Sequence, residues 1–470
     1  MKRTFFSFVA AACVAAGAAR AEVKFPAFFG DNMVLQQEVQ APVWGWAKPN
    51  ATVKVSTSWD KKSYSAKSDA QGKWQVKVST PKAGYTPYTL TADDGKPTTI
   101  SNILVGEVWL CSGQSNMEMP VKGFAHMQPV EGAGEAIAAS ANAGIRCFTV
   151  KRAAKISPQD TCTGRWEVAS PATTLDFTAT GYFFARRINQ ALNVPVGIMH
   201  ASWGGSRVEA WMSAKSLHGI SDRPVPVSND SIKSAPGTPT VLYNAMLHPL
   251  VGFGIRGALW YQGEANRSEP QAYAKLFAAM LGEWRKQWGQ GDFPFYFCQI
   301  APYRAGGKFH LGYIREAQAK GLQLSNTGMA VLMDANSPDC IHPPKKKDAG
   351  ERLALWALAK TYGMEKMHYR SPELKSVAHE GRVLALTFEM FGSTTGLTAY
   401  GKDIRNFQIA GANKRWYPAT AALYDDKVYL MSPQVAEPLE ARYCFDDASP
   451  AEIFTVEGGL PVASFRTDEW

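Results

Sequence analysis

Apolar positions follow three different spacings along the chain. From residue 22 to 103 they alternate with polar ones: V-Q-A-P-V-W-G-W-A, A-T-V-K-V-S-T, W-Q-V-K-V-S-T and Y-T-L-T-A are separated by the turn signals Pro49-Asn50, Ala70-Gln71-Gly72 and Asp93-Asp94-Gly95. A period of two broken by turns predicts a small N-terminal β-sandwich. From 104 to 365, short runs that are apolar throughout alternate with segments at helical spacing. Strands are predicted over 105–111, 194–200, 255–261, 294–301 and 328–334, and helices over 178–192, 271–288, 312–323 and 345–362. Continuous apolar runs suit strands covered on both faces by helices. This stretch therefore predicts a three-layer α/β/α domain around a parallel sheet of about five strands. From 366 to 470, R-V-L-A-L-T-F, K-V-Y-L-M and A-R-Y-C-F return to a β texture and predict a C-terminal β-sandwich region.

Residues 1–21 stand outside this pattern. Lys2 and Arg3 precede an apolar run from Phe5 to Ala19, and Ala19-Arg20-Ala21 offers a small-x-small cleavage point. This is the form of a secretory signal peptide, too short for a membrane span, so the mature chain is expected to be periplasmic or secreted, with no membrane partner. Removing Lys2, Arg3 and Arg20 lowers the formal charge from +9 to +6. That mild balance gives no reason to expect nucleic acid. The Lys345-Lys346-Lys347 run reads as a solvated helix start. Of the six mature cysteines, Cys147 and Cys162 are the nearest pair and the expected bridge. Neither a C-x-x-C nor a histidine cluster occurs, so no metal or other cofactor is expected.

A parallel sheet delivers every strand's following loop to one edge, where open α/β sheets bind ligands. The first predicted strand ends in S-G-Q-S at 112–115. The second ends in Ala201-Ser202-Trp203-Gly204-Gly205-Ser206, the third in Gln262-Gly263-Glu264-Ala265-Asn266, and the last runs into Asp339-Cys340-Ile341-His342. Together these loops hold a hydroxyl, a glycine pair that can aim backbone N–H groups, side-chain amides, and an Asp-x-x-His. These are the parts of an acyl-transfer site: a nucleophile, a base, a carboxylate to orient the base, and donors for an oxyanion.

The blocks S-G-Q-S-N-M (112–117), S-W-G-G-S followed by E-A-W (202–211), W-Y-Q-G-E-A-N (260–266) and D-C-I-H-P (339–343) resemble those of the sialate O-acetylesterase family, a branch of the SGNH hydrolases with a flavodoxin-like fold. The likeness extends to V-P-V-G-I and to the closing G-L-P-V-A-S-F-R-T-D. It implies that Ser115 is the nucleophile, His342 the general base and acid, and Asp339 the carboxylate orienting it. The implied oxyanion donors are the N–H of Ser115, that of Gly204 or Gly205, and the amide of Gln262, with Asn266 as its competitor. Ser112 is then scaffolding, and Cys340 faces away from the chemistry. Trp203, Trp260, Tyr261, Glu264 and Arg207 flank these loops as candidate substrate contacts. Arg207 suits the carboxylate of a sialic acid. The implied reaction is removal of O-acetyl groups from a sugar or glycan, sialic acid first. An acetylxylan or other polysaccharide esterase is the alternative within the class, and an inactive sugar-binding protein the alternative outside it.

Overall fold

The computed structural model describes residues 22–470 apart from 128, 307–309 and 336–337. The predicted leader, and Asn336 and Ser337 of the last loop, lie outside them. Six strands open the chain: β1 (Val34–Gln36), β2 (Gln40–Trp46), β3 (Thr52–Thr57), β4 (Ser63–Lys67), β5 (Lys73–Ser79) and β6 (Gly84–Asp93). Their alternating pattern buries one side chain in two, as in the sequence Thr-Val-Lys-Val-Ser-Thr of β3. Then comes β7 (Pro97–Gly113), 17 residues long, around which the molecule is arranged.

The first half of β7 pairs with β1 and β6 of the N-terminal region. Its second half lies at the centre of a sheet with β8 (Asn142–Thr149), β9 (Trp166–Ala169), β10 (Val196–Ser202), β11 (Gly257–Tyr261), β12 (Phe295–Cys298) and β13 (Thr327–Ala330). The order is β13-β12-β11-β7-β10-β8-β9, parallel except for the β8–β9 pair. The sequence-based boundary at 103/104 thus falls inside one continuous strand. All five predicted strands of the α/β stretch are present. β8 and β9 were not foreseen, because Arg146 interrupts the apolar run of β8. Arg146 is nonetheless buried, and its guanidinium donates to the carbonyls of Asn32 and Asn102.

Seven α-helices are described: α1 (Ser115–Glu118), α2 (Ala133–Ala138), α3 (Ala179–Leu192), α4 (Ala214–Leu217), α5 (Pro270–Trp288), α6 (Leu311–Ala319) and α7 (Lys346–Trp356). Successive residues of β7 feed two separate cores: Val108 and Leu110 join one, Trp109 and Cys111 the other. The expected disulfide is absent. Cys147 belongs to one core and Cys162 packs against the other; both are thiols.

Beyond 366 the chain forms two four-stranded antiparallel sheets and one two-stranded antiparallel pair. The sheet that contains Tyr443 and Phe465 is tied to α6 by the fully buried Arg315, which donates to the Cys444 carbonyl at 2.9 Å and to Ser464 Oγ at 3.0 Å.

Candidate active site

β7 stops at Gly113 because no other residue fits. Its φ is 139°, and a Cβ there would lie 2.2 Å from the Tyr261 carbonyl oxygen of β11. The tight turn that follows is held by Gln114, whose backbone N–H donates to that carbonyl at 3.0 Å. The Gln114 side-chain oxygen accepts from the N–H groups of Gly263 and Ala265 at 3.3 and 3.2 Å. α1 then begins with Ser115, which lines a cavity of about 590 Å³ with Gln114, Gly204, Gly205, Arg267 and His342. Ser112 is fully buried and has no place on that cavity.

Asn116 ties the nucleophile's helix to two other loops. Its amide donates to Glu264 Oε1 at 2.6 Å and to the Ile341 carbonyl at 3.1 Å, and its oxygen accepts from Lys346 Nζ at 2.5 Å. Glu264 is buried, which pushes its carboxyl up. Lys346 is also buried rather than solvated as its neighbours suggested, and burial pulls it down to about 7 against the opposing pull of Glu264.

His342 reaches the same cavity from the last loop. Its ring meets Phe124 edge-on at 5.4 Å, and Nδ1 lies 3.1 Å from Met127 Sδ. Burial, together with the Lys346 charge, pulls it down to about 4, so the imidazole is a neutral base at ordinary pH. The predicted orienting carboxylate lies elsewhere in this structure: Asp339 is two-thirds exposed and pairs with Arg304. Cys340 Sγ packs on the His342 backbone, its thiol donating to the carbonyl at 3.3 Å.

Three of the expected oxyanion donors, Gly204, Gln262 and Asn266, have other partners. Gly204 approaches Ser115 closely, its ideal Cβ falling 3.3 Å from the serine Cβ. Its N–H, however, donates to Glu118 Oε2 at 2.7 Å, and Glu118 is clamped by Arg152 at 2.5 and 2.6 Å. The N–H groups of Ser115 and Gly205 have no acceptor among the described residues. Gln262 does not line the cavity; its amide donates to the Ser206 carbonyl and to Asn266 Oδ1. Asn266 likewise donates to Glu209. Both amides are fully buried girders between the second and third loops.

Of the substrate candidates, Arg207 lines the cavity, but Glu209 and Glu269 hold its guanidinium at 3.0 and 2.8 Å. Trp260 and Tyr261 are fully buried, and Trp203 lies under Arg152 at 5.4 Å. Arg267, not singled out from the sequence, lines the cavity; its Nη1 donates to the Glu264 carbonyl at 3.1 Å, and its buried Nε has no partner among the described residues. Gln114 and Asn116 stood in view beside Ser115 in the first block. Lys346 gave no signal, since a lysine between two lysines reads as solvent-facing.

A family model described as carbohydrate esterase, sialic acid-specific acetylesterase, matches residues 105–358, more than half of the chain. The chain belongs to that family. A sialate O-acetylesterase of Pongo abelii is 30% identical over 447 residues, covering 84% of this chain and 82% of its own length. That of Homo sapiens is 29% identical over 445 residues, with the same coverages. A carbohydrate acetylesterase from Xanthomonas citri superposes with a TM-score of 0.87 at 38% identity, over 96% of this chain and all of the other. The chain is thus a carbohydrate esterase, with a mixed α/β core and added antiparallel sheets in the manner of SGNH-like esterases.

Proposed function

We propose that this esterase removes O-acetyl groups from a sugar through an acetyl-enzyme on Ser115. One observation carries the reading: a serine at the end of the central strand and a neutral, buried histidine line one cavity with the glycine loop. His342 takes the Ser115 proton as Oγ attacks the acetyl carbonyl carbon. The N–H groups of Ser115 and Gly205 and the Gln114 amide, its oxygen already anchored, receive the oxyanion. Collapse expels the sugar oxygen, which His342 protonates, and water then repeats the attack on the acetyl ester. Asp339 orients His342 after leaving Arg304. The Asp339–Arg304 pair is exposed, and such pairs are worth about 1 kcal/mol or less, so the exchange is easy.

O-acetylated sialic acid is the first substrate of this reading, supported by the names of the curated relatives. Arg267, rather than Arg207, is the cation that would meet its carboxylate. An acetylated polysaccharide is the second reading, compatible with the 38% identical carbohydrate acetylesterase, whose name specifies no sialic acid. Export behind the 1–21 leader, the three-layer arrangement and the division at 365/366 belong to the same proposal. The test is acetate release from p-nitrophenyl acetate, O-acetyl sialic acid and acetylated xylan by the parent and by Ser115→Ala. Parental rates in the variant would sink the mechanism, and the preferred sugar substrate decides between the two readings.

A further inference from the structure

A second cavity, of about 620 Å³, lies where the N-terminal strands meet the α/β core, and it contains nothing of the catalytic loops. Its wall is built by the antiparallel pair β2 and β5. The register sets Trp44 opposite Gln75, Gly45 opposite Trp74, and Trp46 opposite Lys73. Cross-strand partners share a face, so Trp44, Trp46, Gln75 and Lys73 present one surface.

The tryptophans differ in what holds them. Trp44 is fixed by Phe28 at 5.4 Å and Phe29 at 4.7 Å. Trp74 is buried, packs on Phe25 at 5.6 Å, and leaves its indole N–H without a partner among the described residues. Trp46 is half-buried and belongs to neither apolar core nor any ring pair among the described residues. A half-buried aromatic face that belongs to neither apolar core borders a cavity that also offers the Gln75 amide on the same face. That combination suits a pyranose ring, with apolar C–H faces for the indole and hydroxyls for the polar groups. The charges decide which kind of sugar. Lys67 and Lys73 are balanced by Asp69 and Asp160, and Lys73 is paired with Asp160 at 2.8 Å. The lining has no net charge to attract an acidic residue.

We propose that this cavity binds a neutral, unacetylated stretch of the glycan that the catalytic site deacetylates, an inference that rests on the carbohydrate-esterase reading. One segment joins the two places. Arg152 clamps Glu118 beside the nucleophile's glycine loop, and Asp160 lines the second cavity. The eight-residue step between them spans at most about 28 Å, within reach of an oligosaccharide.

The experiment measures binding of cellohexaose and xylohexaose to the Ser115→Ala protein by calorimetry, with and without Trp46→Ala. Binding is expected for at least one neutral hexasaccharide, weakened about tenfold or more by Trp46→Ala. An unchanged thermal midpoint in Trp46→Ala guards against a folding artefact. Absence of binding to either sugar, equal binding by the Trp46 variant, or binding of sialyllactose alone overturns the proposal. Because no turnover is involved, failure here is separate from failure of the esterase reading, which the parent's acetate release tests.

Discussion

Lys346 Nζ lies 2.5 Å from the Asn116 side-chain oxygen, while the same amide donates to Glu264 at 2.6 Å. A buried cation and a buried carboxylate are thus joined through the residue that follows Ser115. Removing one charge leaves the other in a buried site without its compensating neighbour, which is destabilising. Lys346→Met should therefore lower the thermal midpoint sharply, and adding Glu264→Gln should restore much of it. Calorimetry of the two singles and the double checks this. Simple additivity would show that the groups are not coupled.

Asn116 also fixes the His342 loop through the Ile341 carbonyl. Misplacement of reacting groups by about an ångström can cost 10²-fold in rate. Asn116→Ala should lower kcat for p-nitrophenyl acetate by about that factor with little change in KM. A pure KM effect would contradict the positioning role.

The pH profile follows from His342, which is held at about 4 first by burial and then by Lys346. The base acts in its neutral form, so a lowered pKa keeps it active to lower pH. Activity should hold down to about pH 5 and fall through about 4, instead of falling near the ordinary histidine value of about 6.5. Lys346→Met removes a neighbouring positive charge and should move the acid limb upward. A limb that stays in place would mean that Lys346 does not act on His342.

The Asp339–Arg304 pair gives opposite signs for its two members. Arg304→Ala frees the carboxylate and should raise kcat/KM by up to about fivefold, the equivalent of about 1 kcal/mol. Asp339→Asn should lower it by at least about tenfold. If both variants matched the parent in steady-state assays, His342 would work without Asp339.

Which features were legible in the sequence follows from whether a property is local. Continuous apolar runs revealed the five α/β strands, and strand-end chemistry brought Ser115 and His342 onto one cavity as the loops suggested. Partner choice was not legible. The sequence offers Gln262 as an oxyanion donor and Arg207 as a substrate contact, yet Asn266, Ser206, Glu209 and Glu269 take their donors. Burial of Lys346 and Arg146 depends on distant carbonyls and carboxylates that no local pattern reveals.

The most direct test of the acetyl-enzyme is mass spectrometry of protein quenched during turnover of p-nitrophenyl acetate. An acetyl group on the peptide carrying Ser115, absent from Ser115→Ala and accumulating in His342→Ala only slowly, is the predicted result. Acetate release at the parental rate by Ser115→Ala, with no acetylated peptide in either protein, would contradict it.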